Sequence, residues 1–264
     1  MTQTLATTNA NWCEEFFDDL FAEHCLMTRS AEEVAATVAF FRHVLRLKTG
    51  DMIFDQCSGV GTLSLALARA GYRTHGVDLI PAYIAQARKE AAMTNSTCHF
   101  AAGDAYAYAT PYLCDAAINW WTSFGYTPDD RQNAKMLECV FASLKPGGWF
   151  SLDYMNSAQR RQQLGASGRT GYRQEKENCA ITCDSRLEGD MLVKDWVYTG
   201  HDGRRVEKQG GGAKLYTPQQ LRALLEGAGF RSVSLYGSVK GEHFTADSPR
   251  CIVVAQKPRG FDVC

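Results

Sequence analysis

The sequence predicts an α/β domain: a mostly parallel sheet with helices on both faces. Three observations carry that reading. Strand-like and helix-like segments alternate through residues 52–154. A glycine-containing turn, Asp55-Gln56-Cys57-Ser58-Gly59-Val60-Gly61, joins the first strand to the helix after it, and the next strand ends in Asp78. Alternation of this kind is the signature of a parallel sheet covered twice. Gly59 and Gly61 let the backbone turn tightly and approach a ligand with no Cβ in the way.

Each element has a local warrant. Residues 12–27 are amphipathic at helical spacing, with Trp12, Phe16, Phe17, Leu20, Phe21 and Leu26 interrupted by acids, and predict one helix. Ser30-Ala31-Glu32-Glu33 is a capping box opening a helix to about Leu47, with Val34, Val38, Phe41 and Leu45 on one face. Gly50 stops it. Strands follow at 52–56, 73–77, 97–101, 114–119 and 148–154, and helices at 62–70, 81–94 and 130–144. Residues 165–216 change character: glycine-rich turns and two β-rich runs (179–187 and 191–199), joined by Glu188-Gly189-Asp190, predict an inserted antiparallel hairpin or small sheet. Thr217 caps a last helix, with Pro218 at its first position and Gln220 completing a capping box. Strands 231–238 and 251–257 close the fold. The chain therefore divides into a helical cap with the first core helix (1–50), a ligand-binding α/β core (51–164), an inserted β lid serving as substrate or dimer surface (165–216), and the rest of the core (217–264).

Composition narrows the function. The chain has 264 residues, 45% hydrophobic and 22% charged, the profile of a soluble protein with one sizeable core. A formal net charge of −1 argues against a nucleic-acid partner, which would call for a clustered basic surface. No apolar run approaches a membrane span, and the polar start 1–11 lacks a signal-peptide core. The ten cysteines are scattered, with no Cys-x-x-Cys pair, and Cys179 and Cys183 have no histidine near them in the sequence. Reduced, mostly buried cysteines in a cytoplasmic protein are expected, with no metal site.

Two carboxylates around a glycine turn suit a ligand carrying a cationic amine and a ribose, and S-adenosylmethionine has both. A dinucleotide fold is the competing use of such a loop, but it would want a third glycine where Ser64 stands and does not predict Asp104. Four signals in order (the loop 55–61, Asp78 after Gly76-Val77, Gly103-Asp104-Ala105, and Leu144-Lys145-Pro146-Gly147-Gly148) resemble the class I S-adenosylmethionine-dependent methyltransferases over roughly residues 30–258. The resemblance is to the branch acting on small molecules. It implies a seven-stranded, mostly parallel sheet whose last strand is antiparallel. It also implies that Asp55 and the loop with Gly59 and Gly61 hold the cofactor's amino-acid end. Asp78, followed by Leu79, would take the ribose, and Asp104 with the Ala105 amide the adenine edge. Cys57 departs from the pattern, which usually has glycine there, and its Cβ narrows the site.

The run Asn119-Trp120-Trp121-Thr122-Ser123-Phe124-Gly125-Tyr126 follows the fourth strand, on the crevice edge. Aromatic faces attract a sulfonium, so Asn119 and Trp120 are expected at the cofactor and Trp121, Phe124 and Tyr126 at the acceptor. Packing of one tryptophan under the inserted sheet is the alternative. Tyr154 and Asn156 end the fifth strand and could orient an acceptor or act as polar caps. The loop 239–250 carries Arg250 and His243, the candidate general base alongside Tyr154 and Asn119. His24 also lies in a segment that could cap the site, and His43, His75, His99 and His201 read as scaffold or surface. The expected reaction is methyl transfer to nitrogen or oxygen of a small metabolite by a monomer or homodimer. Two alternatives stay open: cyclisation of the cofactor itself to azetidine-2-carboxylate with release of methylthioadenosine, and a catalytically silent cofactor-binding protein.

Overall fold

The computed structural model describes residues 12–260. The reading of the polar start 1–11 lies outside them, as does one of the ten cysteines, Cys264. In chain order come α1 (Trp12–Phe16), α2 (Asp19–Phe21), a π-helical turn (Ala22–Leu26), α3 (Ala31–Val44), β1 (Met52–Gln56), α4 (Thr62–Arg69), β2 (Arg73–Asp78), α5 (Pro81–Met93), β3 (Cys98–Ala102) and β4 (Cys114–Asn119). Then follow α6 (Asp130–Ser143), β5 (Leu144–Met155), α7 (Ser157–Leu164), β6 (Arg169–Glu175), β7 (Cys179–Glu188), β8 (Met191–Gly200), β9 (Arg205–Lys214), α8 (Pro218–Gly227), β10 (Arg231–Tyr236) and β11 (Arg250–Gln256).

β1 shows why the core takes this form. All five of its residues are buried, and their alternation sends Ile53 to the side of α3 and α4 and Phe54 to the side of α6 and α8. A strand buried on both faces belongs inside a parallel sheet. The seven strands run in the order β10-β11-β5-β4-β1-β2-β3, with β11 antiparallel to both of its neighbours. The fold class expected from the sequence is the fold observed.

Three local expectations are corrected. Residues 12–27 are not one helix: Asp18 leaves helical geometry and its carboxylate accepts the Phe21 amide at 3.0 Å, so the segment breaks into α1, α2 and the π turn. Aspartate competes for backbone amides in this way and favours caps over helix interiors. β5 starts at Leu144, four residues early. Its register against β4 jumps from Cys114↔Leu144 to Ala116↔Trp149, and Gly147 absorbs the extra length at φ 83°. Finally, α7 was not expected; Asn156 caps it by accepting the Ala158 amide at 3.1 Å.

The inserted region is a four-stranded antiparallel sheet, β6-β7-β8-β9, larger than the two runs read from sequence. Cross-strand partners share a face, so Cys183, Trp196 and Lys208 stand together, as do Ser185, Lys194 and Gly211 one step along. The N-terminal segment lies on that face. A Cβ on Gly211 would come within 2.5 Å of the Phe16 ring, and Phe16 meets Trp196 edge-on at 6.1 Å. Lys208 pairs with Asp18 at 2.5 Å, and His24 Nε2 lies 3.4 Å from Cys179 Sγ.

Candidate active site

A cavity of about 990 Å³, mouth included, opens where β1, β2 and β3 end. It lies at the strand ends, where open α/β sheets bind ligands. Cys57, Ser58 and Gly59 form its floor; Asp78, Leu79, Ile80 and Tyr83 one wall; Asp104, Ala105 and Tyr106 another. Trp121, Ser123 and Tyr126 face them, and Cys13, Phe17, Phe21, Cys25, Leu26 and Arg29 form the roof.

The floor is held by Asp78. One carboxylate oxygen accepts the Gly59 amide at 2.8 Å and the other accepts the Ile80 amide at 3.0 Å. Burial raises its pKa, and those backbone hydrogen bonds hold it back. Cys57 sits in the left-handed region at φ 62°, which is why glycine suits this position. Its thiol, held protonated by burial, points to the Ser123 carbonyl at 3.7 Å. Asp104 is exposed, and its carboxylate accepts the Tyr106 amide at 2.9 Å, fixing the turn that presents Ala105.

Of the residues expected at the cofactor, Cys57, Gly59, Asp78, Leu79, Asp104 and Ala105 line the cavity. Gly61 does not; it opens α4 at φ 82°, where a Cβ would strike Phe100 at 2.8 Å. Asp55 does not line it either. Its carboxylate turns beneath α4 and accepts the Ser64 hydroxyl at 2.7 Å, and burial raises its pKa to about 7. Asn119 is fully buried in a scaffold network, donating to Gln56 Oε1 at 3.1 Å and the Ser123 carbonyl at 3.2 Å. Gln56 continues that network to the Ala105 and Met136 carbonyls at 3.3 and 3.0 Å. Trp120 is a core residue packed edge-on against Phe41 at 4.5 Å.

The acceptor side is corrected more heavily. Trp121 and Tyr126 line the cavity, but Phe124 is fully buried against Tyr154 and Tyr216. Tyr154 is itself fully buried, with its hydroxyl donating to the Lys214 carbonyl. Asn156 donates to the Ala246 and Ser248 carbonyls, both at 2.8 Å, and so ties down the loop after β10. His243 is exposed on that loop and stacked on Tyr236, away from the cavity. Thus none of the three residues expected to be catalytic, His243, Tyr154 and Asn119, reaches the wall. His24 is buried against Cys179 and Tyr198 rather than facing the cavity.

Arg250 acts at one remove. It clasps Asp153 with bonds of 2.7 and 2.6 Å and donates to Thr122 Oγ1 at 2.7 Å. Asp153 also accepts the Trp121 amide at 3.0 Å on its carboxylate and the Thr122 amide at 3.2 Å on its carbonyl. Trp121 and Thr122 are both left-handed, at φ 56° and 64°. Each such residue costs about 1–3 kcal/mol and persists only where neighbours over-determine it. The Asp153–Arg250 pair does so here, directing Trp120 into the core and Trp121 onto the cavity wall.

Sequence reasoning missed the direct wall contributions of Cys13, Cys25, Arg29, Tyr83 and Tyr106. The steps 13, 17, 21, 25 and 29 are the signal that could have shown the roof. Arg29 is the one cation on the wall among the described residues. It stacks over Trp121 at 4.8 Å, pairs through one terminal nitrogen with Glu33 at 3.1 Å, and has a buried Nε with no partner. No histidine is on the wall among the described residues. Burial pushes Cys13 up to about 12 and Cys25 to about 11, and holds Tyr126 well above its ordinary value, so these groups are poor bases.

Fold and site together define an α/β domain with a cavity at its strand ends, closed by an aromatic roof. Residues 53–148 match the family described as a methyltransferase domain, and the whole has the class I S-adenosylmethionine-dependent methyltransferase fold. A stretch of 89 residues is 32% identical to a protein of Lactiplantibacillus plantarum named as an uncharacterized RNA methyltransferase; the match spans 33% of this chain but 17% of that protein. An S-adenosylmethionine-dependent methyltransferase from Clostridium acetobutylicum superposes with a TM-score of 0.76 at 15% identity, over 93% of this chain and 99% of that one. CalS10 of Micromonospora echinaspora, named as an amino pentose methyltransferase with S-adenosylmethionine bound, gives 0.67 at 19% identity, over 92% and 98%.

Proposed function

We propose that the protein transfers a methyl group from S-adenosylmethionine to a nitrogen or oxygen of a small metabolite. The observation that carries the reading is the cavity floor: Asp78, at the end of β2, fixes the Gly59 loop and lines the cavity. The donor set fits the cofactor. Asp78 would accept the ribose hydroxyls, Leu79 and Ile80 would cover the adenine, and Asp104 with the Ala105 amide would meet its polar edge. The orphaned Arg29 Nε answers a carboxylate, and the methionine end carries one. Asp55, turned to Ser64, positions α4 instead of holding the amine.

The bound cofactor supplies an activated methyl group on a sulfonium. The chain's task is to align the acceptor and exclude water, which can contribute about 7–11 kcal/mol. Phe17, Phe21, Trp121 and Tyr126 provide the dry aromatic lining, and a ring face is worth up to about 2 kcal/mol to a desolvated cation. Thiols and phenols are held protonated and no histidine is on the described wall, so an acceptor that enters with its lone pair free suits the cavity best, and Asp78 and Asp104 are the carboxylates there. A near-neutral chain whose cavity is roofed by aromatic rings suits a small acceptor, in line with what CalS10 is named as acting on.

The test follows the nucleoside products by mass spectrometry after incubation with S-adenosylmethionine alone, then with pooled amine and phenol metabolites. S-adenosylhomocysteine formed only with an acceptor supports the proposal. Methylthioadenosine formed without one overturns methyl transfer in favour of cofactor cyclisation, and no product with either overturns catalysis.

A further inference from the structure

β6 is an edge of the second sheet, and all seven of its residues are exposed. It contains no proline and pairs with β7 without a bulge, so nothing interrupts its outer side. Such an edge is a template for another strand, because its unpaired N–H and C=O groups face outward. Alternation decides which groups those are. Lys176 donates its amide to the Cys179 carbonyl at 2.8 Å, and Leu187 donates its amide to the Gly168 carbonyl at 3.0 Å, so the even positions bond to β7. Arg169, Gly171, Arg173 and Glu175 therefore turn their backbone groups away from β7. Arg169 shows this directly: its amide donates to the Ser167 hydroxyl at 3.3 Å and its carbonyl accepts from that hydroxyl at 3.2 Å.

The side chains at these positions carry a self-complementary pattern of charge. Asp184 stands opposite Gly171, and its carboxylate leans over that glycine: a Cβ there would lie 2.6 Å from Asp184 Oδ1. Arg169, Gly171 and Asp184 line an open groove on this face. Neither Arg169 nor Asp184 forms an ion pair among the described residues. Arg173 bonds Glu175 through its Nε at 2.8 Å, an exposed pair of the kind that contributes little. We propose that β6 pairs antiparallel with β6 of a second copy of this chain, about a two-fold axis at Tyr172, joining the two four-stranded sheets into one. Charge selects the register. Centring on Tyr172 pairs all seven residues and sets Arg169 opposite the partner's Glu175. It also sets Gly171 opposite the partner's Arg173, which fills the groove and reaches Asp184 across the glycine. An axis on Gly171 would set Arg169 against the partner's Arg173, and an axis on Arg173 would set that arginine against its own copy. The exposed Tyr172 rings meet side by side on the other face. A contact of this kind, the same patch on both copies, closes at two.

Sedimentation velocity of the full-length protein, without cofactor and at micromolar concentration, tests the assembly. Wild type should sediment at twice the chain mass. Arg173→Glu turns each contact with Asp184 into a repulsion, so the dissociation constant should rise about 100-fold or more. Asp184→Arg should do the same, and the double variant should recover the dimer. Under mild oxidation Tyr172→Cys should form a disulfide-linked dimer that wild type and Gln174→Cys do not, because position 174 meets position 170 across the axis. A monomeric wild type, or a dimer indifferent to both charge reversals, overturns the β6 pairing. No turnover is read, so that failure is distinct from failure of methyl transfer.

Discussion

Asp55 offers a quantitative test of how the site is built. The carboxyl is 3% exposed, its one hydrogen-bonding side chain is Ser64, and burial moves its pKa from 3.8 to about 7. A raised carboxyl pKa means that the folded state prefers the neutral form. Its stabilising contribution is therefore complete below the unfolded value and is lost as the pH rises through the folded one. The difference is about three units, and at about 1.4 kcal/mol per unit ionisation of Asp55 costs the fold about 4 kcal/mol above neutrality. Asp55→Asn keeps an acceptor for the Ser64 hydroxyl and cannot ionise. Urea unfolding of both proteins between about pH 4 and about pH 8 should show the variant gaining on wild type by up to about 4 kcal/mol across that range. A difference that stays flat with pH would refute the buried, neutral carboxyl. Saturating S-adenosylmethionine should leave the Asp55-dependent slope in place, because the carboxylate faces Ser64 and not the cavity.

Other residues separate floor, wall and scaffold. Asp78→Ala strands the Gly59 and Ile80 amides and removes the carboxylate proposed to accept the ribose hydroxyls, so S-adenosylmethionine affinity measured by calorimetry should fall about 100-fold or more. Trp120→Ala empties a core site against Phe41 and should cost about 3–5 kcal/mol in chemical denaturation, whereas Trp121→Ala should cost less stability and more cofactor affinity. His243→Ala should leave kcat and its pH profile within about twofold of wild type, since the exposed ring stacks on Tyr236 outside the cavity.

What could be read from the sequence was what is local. Asp78 and the Gly59 loop sit at strand ends that the alternation of elements locates, so their meeting at the cavity follows from chain order. The roof was legible as an amphipathic segment, but not as a broken helix, because the break depends on one carboxylate choosing the Phe21 amide. Strand ends also explain the misreadings. Tyr154 does end near the crevice, yet its parity with Leu152 on β5 sends the ring into the core with Phe124 and Tyr216. Trp120 and Trp121 are neighbours with opposite fates, decided by two left-handed residues that an ion pair between Asp153 and Arg250 enforces. No window of sequence contains both partners. The scaffold role of Asn119 likewise appears only once Gln56 and Ser123 are beside it.

The roof joins the two sheets into one device. Through Cys13, Phe17, Phe21, Cys25, Leu26 and Arg29 it closes the cavity, and it is anchored on both sides. Toward the core, Tyr83 donates its hydroxyl to the Asp18 carbonyl at 2.7 Å, from α5 on the cavity wall. Toward the second sheet, Asp18 holds Lys208 while Phe16 seats over Gly211, where any side chain would displace it. Asp18 thus breaks the helix, binds the wall and binds the second sheet, so the roof's position is set by both. The cavity wall meets the roof from one side and the second sheet from the other. A change in the second sheet therefore reaches the aromatic lining without touching the glycine loop. Changes within residues 169–214 can then alter the roof while the floor around Asp78 keeps its Gly59 and Ile80 bonds. This division follows from where the roof is fastened.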